Sequence, residues 1–180
     1  MSLVALFVIF LKNRGQLEYV TEDHLHDLGK FMFAFSIFWT YLWFSQYMLI
    51  WYSNQPEETK YFIERIGTAE KAGPYKGIFF LNLILNFLCP LLILMKRNVK
   101  RNWSLVAFMA ILIIFGHWID FYQMVLGSVS KAEVTLSWLD FGIAALFVGL
   151  IIFFVGKELA KKPLVTKYHP FLKESIIHHT

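Results

Sequence analysis

Residues 103–126, Trp103-Ser-Leu-Val-Ala-Phe-Met-Ala-Ile-Leu-Ile-Ile-Phe-Gly-His-Trp-Ile-Asp-Phe-Tyr-Gln-Met-Val-Leu126, contain one carboxylate, one imidazole and no other ionised group. Roughly 20 apolar residues, each rising ~1.5 Å in a helix, cross a hydrocarbon core of ~30 Å. Three further runs match this length and apolarity: Phe31–Tyr52, Gly77–Met95 and Leu136–Val155. Charges sit almost entirely between the runs. The chain is 57% hydrophobic and 18% aromatic, with a mean hydropathy of +0.53. Such a composition excludes an ordinary soluble domain, because buried soluble helices rarely run this far without charge. The expected fold is therefore all-α, a polytopic transmembrane helix bundle. It comprises a partial transmembrane helix over 1–11, four full spans over 31–155 with an outer loop over 53–76, and a tail over 156–180.

Cys89 is the only cysteine, so an internal disulfide and a cysteine-based metal site are excluded. Ser2–Leu11 is apolar but has no basic flank before it and no small-residue cleavage site after it, so it does not read as a signal peptide. It is too short to span, and Lys12 and Arg14 follow at once. We read it as the end of a transmembrane helix whose beginning lies upstream, through an incomplete or mis-assigned start.

If all four runs cross, the loops fall on two sides. One side carries Lys12, Arg14, Lys30, Lys96, Arg97, Lys100, Arg101, Lys157, Lys161, Lys162, Lys167 and Lys173; the other carries Lys60, Arg65, Lys71, Lys76 and Lys131. The positive-inside rule makes the first side cytoplasmic, with the C-terminal tail. The short loop from Lys96 to Asn102 agrees, since it holds four bases and no acid. The loop Ser53–Lys76 then faces the periplasm. Pro56-Glu57-Glu58 reads as a helix start with acids in the first turn. Tyr61, Phe62, Ile63 and Ile66 continue it as an amphipathic stretch, broken by Gly67, Gly73 and Pro74. That stretch suits either a helix lying on the lipid or a docking surface for an extramembrane partner.

The chemistry must lie in the polar residues inside the runs. In the first, Ser36, Thr40, Trp43 and Tyr47 share one helical face suited to interhelical packing, and Gln46 needs a partner at depth, which groups it with the polar stripe of the second run. In the second, Asn82, Asn86 and Pro90 fall at i, i+4 and i+8, one stripe. Proline removes the helical donor for the carbonyl of Asn86, so the stripe faces protein or a wet cavity. The third run carries His117 and Asp120, three apart on one face, followed by Gln123. A charged side chain at the bilayer centre costs at least ~2.5–3.5 kcal/mol on insertion scales. Two neighbouring ionisable groups therefore imply a partnership, a proton relay or a quinol contact, and otherwise a polar knot that fixes helix packing. His24, His26, His169, His178 and His179 are assigned to loops or the tail, and a transmembrane haem lacks a second opposed histidine. The fourth run has Ser137 and Asp140 near its start, with Gly142, Ala145 and Gly149 forming a small-residue face. Asp140 reads as a helix-start acid or a further member of the proton path.

Phe33-Ala-Phe-Ser-Ile-Phe-Trp-Thr-Tyr-Leu-Trp-Phe-Ser-Gln-Tyr-Met-Leu-Ile-Trp-Tyr52, continuing through Asn54 and Pro56-Glu57-Glu58, resembles the second NrfD-like membrane subunit of bacterial Alternative Complex III. That subunit belongs to the polysulfide-reductase membrane-anchor superfamily. Gly116-His-Trp-Ile-Asp-Phe-Tyr122 resembles its counterpart there, and the likeness extends over nearly the whole chain. The resemblance implies the C-terminal bundle and tail of a subunit with about ten spans, in the bacterial inner membrane. It implies a quinol:electron-acceptor oxidoreductase complex using menaquinol, with haem c and iron–sulfur clusters held by partner subunits. The expected partners are the other membrane and periplasmic subunits and the lipid bilayer, with no nucleic acid. In the superfamily the quinol site belongs chiefly to the N-terminal bundle of a sister subunit. His117 and Asp120 therefore carry over as proton-path candidates rather than as an established quinol site. One cysteine cannot hold an iron–sulfur cluster. A purely structural anchor is the competing reading. A small transporter ranks last, because the broken-helix signal at Asn82, Asn86 and Pro90 has no counterpart in another half.

Overall fold

A computed structural model describes residues 1–129, 136–161, 163–165 and 169–177. Lys131, Lys162, Lys167, His178 and His179 lie outside the described residues. The described chain is helical, and its one β-type pairing is an isolated antiparallel bridge between Gly67 and Ala72. The described residues divide into two compact units, one over 1–129 and the other from 136 to 177.

The first unit opens with α1 (Ser2–Asn13), followed by α2 (Glu22–Ser53) and α3 (Pro56–Ile66). A helix from Lys76 to Leu94 comes next, made of α4 (Lys76–Leu83), a π-helical segment (Ile84–Leu88) and α5 (Cys89–Leu94). The short α6 (Arg97–Lys100) leads into α7 (Trp103–Val129). Among the described residues, three helices are long and apolar enough to cross a membrane: Lys76–Leu94, Trp103–Val129, and α8 (Trp138–Lys161) of the second unit. This is the membrane-protein architecture expected of the composition. At 32 residues α2 is longer than any of them, yet it falls below their apolarity. Its run is built from Trp, Tyr, Ser, Thr and Gln between the phenylalanines, which lowers its mean hydropathy without shortening it. Phe31, Phe35, Phe38, Tyr41, Phe44 and Leu49 nonetheless line its exposed side.

One end of the first unit is held by an apolar core. Ala5 and Ile9 of α1 pack with Val106, Met109, Ala110 and Ile113 of α7, joined by Leu25 and Met32 of α2 and Leu94 of α5. The other end is polar and aromatic. There Trp39, Trp43 and Tyr47 form a ladder along α2 with centroid separations of 6.3 and 6.4 Å. Phe79 meets Trp43 at 5.1 Å and Phe62 meets Tyr47 at 5.1 Å, which docks α3 and α4 on the ladder. The expected α2 face is present: Ser36 is buried, and the Thr40 hydroxyl donates to its carbonyl at 2.9 Å.

Proline explains the break in the second span. Its ring crowds the carbonyl four residues earlier, that of Asn86, and it has no N–H to offer. The turn before Pro90 widens into the π segment, in which the Cys89 N–H reaches back to the carbonyl of Ile84. Such bulges often mark functional positions in otherwise regular helices.

Two boundaries differ from the sequence expectation. Helix α2 starts at Glu22, nine residues before the apolar run, because Thr21 and His24 cap it. The Thr21 N–H and hydroxyl lie 3.2 and 2.8 Å from His24 Nδ1. His24 and His26 are therefore in the first turns of a helix rather than in a loop. In the second unit α8 runs on to Lys161, beyond the expected end at Val155, and the tail contains α9 (Leu172–Ile176). No residue of α8 is buried, and a side chain added at Gly142 or Gly149 would meet nothing within 4 Å. Within the described part of the second unit, the small-residue face of the fourth run therefore meets no packed neighbour.

His26 is buried at the basic end of the first unit. Burial, and then the charges of Lys30, Lys100 and Arg101, hold its imidazole below the ordinary value of 6.5, with Asp27 opposing. The folded chain thus takes up this proton less readily than the unfolded chain. The stability His26 contributes is present above 6.5 and is lost as pH falls through the lowered value. We expect His26→Gln in detergent to lose less melting temperature than the native chain when pH drops from neutral to below 6.5. Parallel melting curves with the same acid sensitivity would remove this assignment.

Candidate functional site

The polar residues of the apolar helices gather around Asp120. The Asn82 side-chain amide donates to Asp120 Oδ1 at 2.7 Å, and the Gln123 amide donates to the same oxygen at 3.2 Å. The Trp39 indole N–H donates to Oδ2 at 3.1 Å. The Asn86 amide in turn donates to Asn82 Oδ1. Three helical elements thus converge on one carboxylate, which is the acceptor in every bond. An ionised carboxylate is acceptor-only, with room for about four such bonds. Each donor is neutral.

Local chain geometry explains the convergence. Asn82 and Asn86 are one turn apart, which puts their amides in line. Both are buried, at 0% and 1% exposure, as the stripe with Pro90 predicted. Gly116 makes room for them, since a Cβ at that position would come within 2.5 Å of Asn86 Oδ1. Gln123 is one turn beyond Asp120 on α7 and is 2% exposed. Asn86 Oδ1 and Gln123 Oε1 are buried and, among the described residues, accept no hydrogen bond.

His117 sits on the same face of α7 but is not a hydrogen-bond partner of Asp120. Its ring is half-buried, and its centroid lies 6.1 Å from that of Trp39. The pair predicted from spacing is therefore a neighbourhood rather than a bonded dyad, and the carboxylate is satisfied by amides and an indole instead. Gln46 does not join the stripe: it is exposed, and among the described residues it makes no hydrogen bond to Asn82 or Asn86. In the second unit, Asp140 Oδ2 accepts the Ser137 N–H at 2.9 Å while Ser137 Oγ accepts the Leu139 N–H at 3.3 Å. This is a capping arrangement at the start of α8, the simpler of the two roles the sequence allowed it.

Two residues escape the sequence reading. Trp39 supplies one of the three donors, and the signal was present, since it lies on the Ser36–Trp43 face. Arg65, counted there only as a loop charge, is 1% exposed. It packs against Gly127 and lies over the Tyr61 ring at 3.6 Å. No group of three or more His, Cys, Asp or Glu side chains able to hold a metal ion occurs among the described residues. A shallow cavity of about 460 Å³, lined by Glu22, Asn98, Arg101, Asn102, Trp103 and Ser104, lies at the start of α7, away from this cluster.

No family model matches the chain, and a search of curated proteins finds no similar one.

The cluster makes a contrast that can be measured. Asn82→Leu removes a donor from Asp120 and an acceptor from Asn86, leaving buried polar groups unmet. Each such group costs ~1–3 kcal/mol. Gln46→Leu, at an exposed position, should change stability by less than about 0.5 kcal/mol. Denaturation of both variants in detergent checks this, and equal losses would mean that Asn82 does not support the carboxylate.

Proposed function

We propose that this chain is an integral membrane subunit of a quinol:electron-acceptor oxidoreductase in a bacterial inner membrane, with its C-terminal tail cytoplasmic. In this role it supports menaquinol oxidation in the complex and the movement of protons through Asp120 and His117. The observation that carries the reading is the carboxylate of Asp120 within an apolar helix, surrounded by neutral donors with an imidazole nearby. Ionisable groups at membrane depth commonly mark ion or proton routes. The sequence resemblance to NrfD-like subunits points to the same role. Haem c and iron–sulfur clusters would reside in partner subunits, since this chain has a single cysteine.

The chain's own residues have distinct parts in such a route. Asp120 holds the charge, while Trp39, Asn82 and Gln123 fix its position. His117 is the neighbouring imidazole, whose ring nitrogens can accept and donate a proton. A purely structural role remains the second reading. One observation favours it: the donors come from α2, α4 and α7, so the cluster would also pin those helices together.

Two experiments separate these readings. Gentle purification through a tag on the tail should bring down multihaem and iron–sulfur subunits, identified by mass spectrometry and by the haem absorption spectrum. A haem-free chain recovered alone would remove the respiratory reading. Within the assembly, Asp120→Asn keeps size and most hydrogen bonding but cannot titrate. Assembly should survive, with quinol-dependent turnover or proton uptake reduced about 10-fold or more, as for loss of a positioned acid–base group. Unchanged turnover and proton uptake in an intact assembly would reduce the cluster to scaffold.

A further inference from the structure

We propose that the cavity at the start of α7 seats the anionic headgroup of a phospholipid, with an acyl chain along the exposed apolar face of the same helix. The inference rests on the membrane character of the chain and is independent of the respiratory role.

The cavity, of about 460 Å³, lies where two membrane-length helices meet a polar loop. Lys76–Leu94 ends just before that loop and Trp103–Val129 begins just after it, so the cavity sits at the level of the membrane–water boundary. Trp103 on its wall suits that depth. The Arg101 guanidinium, the Asn98 amide and the Ser104 hydroxyl are donor groups suited to a phosphate. The end of α7 itself is already capped, since Asn102 Oδ1 accepts the Ser104 and Leu105 N–H groups at 3.0 and 3.2 Å. Side-chain charge, rather than the helix terminus, is what draws an anion here.

That charge is in excess. The segments Lys12–Lys30 and Lys96–Asn102 carry seven bases against four acids. Contacts bring the two segments together: Arg101 pairs with Asp23, and the Lys12 ammonium lies 5.7 Å from the Trp103 ring centroid. Two of the acids, Asp23 and Asp27, pair with Arg101 and Lys30. Among the described residues Lys12, Lys96 and Lys100 form no ion pair, and Lys12 donates to the neutral carbonyls of Val20 and Glu18 at 2.6 and 3.3 Å. Burial and then the charge of Lys30 lower the pKa of the Lys100 ammonium, as expected where like charge is unrelieved. Glu22 is the acid on the cavity wall and can accept from a headgroup hydroxyl. The surplus of bases decides for a net anionic headgroup that also carries hydroxyls, the chemistry of phosphatidylglycerol. Basic pockets beside transmembrane helices take headgroups of this kind.

The helix below the cavity suits the other half of an amphiphile. Ser104, Phe108, Ile111 and Phe115 fall at i, i+4, i+7 and i+11, on one face of α7. Phe108, Ile111 and Phe115 are 56%, 58% and 48% exposed. The stripe extends ~16 Å from the cavity wall, about half the ~30 Å hydrocarbon thickness and so the depth of one leaflet. A free phosphate has no use for such a stripe, whereas an acyl chain lies along it.

The test uses the chain purified with its native partners in mild detergent. It is equilibrated with phosphatidylglycerol and phosphatidylcholine of the same acyl chains, and bound lipid is counted by native mass spectrometry. Phosphatidylglycerol should be preferred by about fivefold or more. Ser104→Phe fills the cavity without changing charge and should lose one phosphatidylglycerol per chain. Lys96→Gln should weaken retention of that lipid about fivefold. Equal retention of the two lipids by the native chain would overturn the proposal, and that comparison needs no variant. Full retention in Ser104→Phe would overturn it too, because the lipid would then sit elsewhere. If that variant does not accumulate, Asn98→Trp fills the same cavity and the same loss is expected. A preference for phosphatidylethanolamine over phosphatidylglycerol would refute the anionic assignment and give the wall to Glu22. Displacement of the lipid by inorganic phosphate would refute the acyl-chain half and leave a free-anion site. Recovery of the chain without redox partners would end the respiratory reading and leave the lipid count intact.

Discussion

A carboxylate in the apolar helix α7 sets the terms for everything around it. Asp120 cannot be left to hydrocarbon, where each unmet polar group costs several kcal/mol. Its oxygens are met by Trp39 from α2, Asn82 from α4 and Gln123 from α7. That requirement fixes how each helix is rotated about its axis, because one indole and one amide must point at the same atoms. It also accounts for Gly116, where a side chain would strike Asn86. The apolar layer of α1, α2, α5 and α7 tolerates small shifts in packing; the Asp120 layer does not, since hydrogen bonds are directional. The first unit is thus a greasy clamp at one end and a polar lock at the other.

Much of the fold is legible in the sequence, for a physical reason. Membrane helices satisfy their own backbone, so an uninterrupted apolar run is sufficient warrant for a helix. Gly77–Met95 and Trp103–Leu126 each correspond to a helix within a few residues, and Leu136–Val155 corresponds to one that runs on to Lys161. Pro56-Glu57-Glu58 starts α3, and Gly67, with φ of 90°, ends it, as its conformational freedom allows. What apolarity cannot report is a helix continuing past the grease. The first turns of α2 are held by a Thr21–His24 cap and by an ion pair from Arg101 to Asp23. That pair spans 78 positions and has no local signature.

The site was legible in its members but not in its wiring. Periodicity put Asn82 with Asn86 and Asp120 with Gln123, since residues three and four apart share a face. It could not say how far along α2 the contact with α7 would fall, so Gln46, seven residues from Trp39 and on the same side of the helix, was grouped with the stripe and Trp39 was not. The deciding bond, Trp39 to Asp120, joins positions 81 apart. Arg65 was hidden for a different reason. In a polar loop an arginine is normally solvated, and only the docking of Tyr61 and Phe62 beneath the ladder takes it out of water.

The kinds of donor around Asp120 bear on what the cluster can do. An indole N–H and carboxamide N–H groups hold a negative charge well, but they do not release their protons in the range where a carboxyl group titrates. Trp39, Asn82 and Gln123 therefore cannot serve as links in a relay. A proton that reaches Asp120 must come through water, or from an acid of moderate strength such as His117. Among the described residues the His117 ring has Trp39 beside it and makes no hydrogen bond that would commit either nitrogen. In the proposed route a proton would therefore pass between Asp120 and His117 or water, while Trp39, Asn82 and Gln123 only hold the carboxylate in place. Sidedness then depends on which end of α7 admits water. At the α3 end the way is occupied by the Arg65 guanidinium, whose positive charge opposes the approach of another cation.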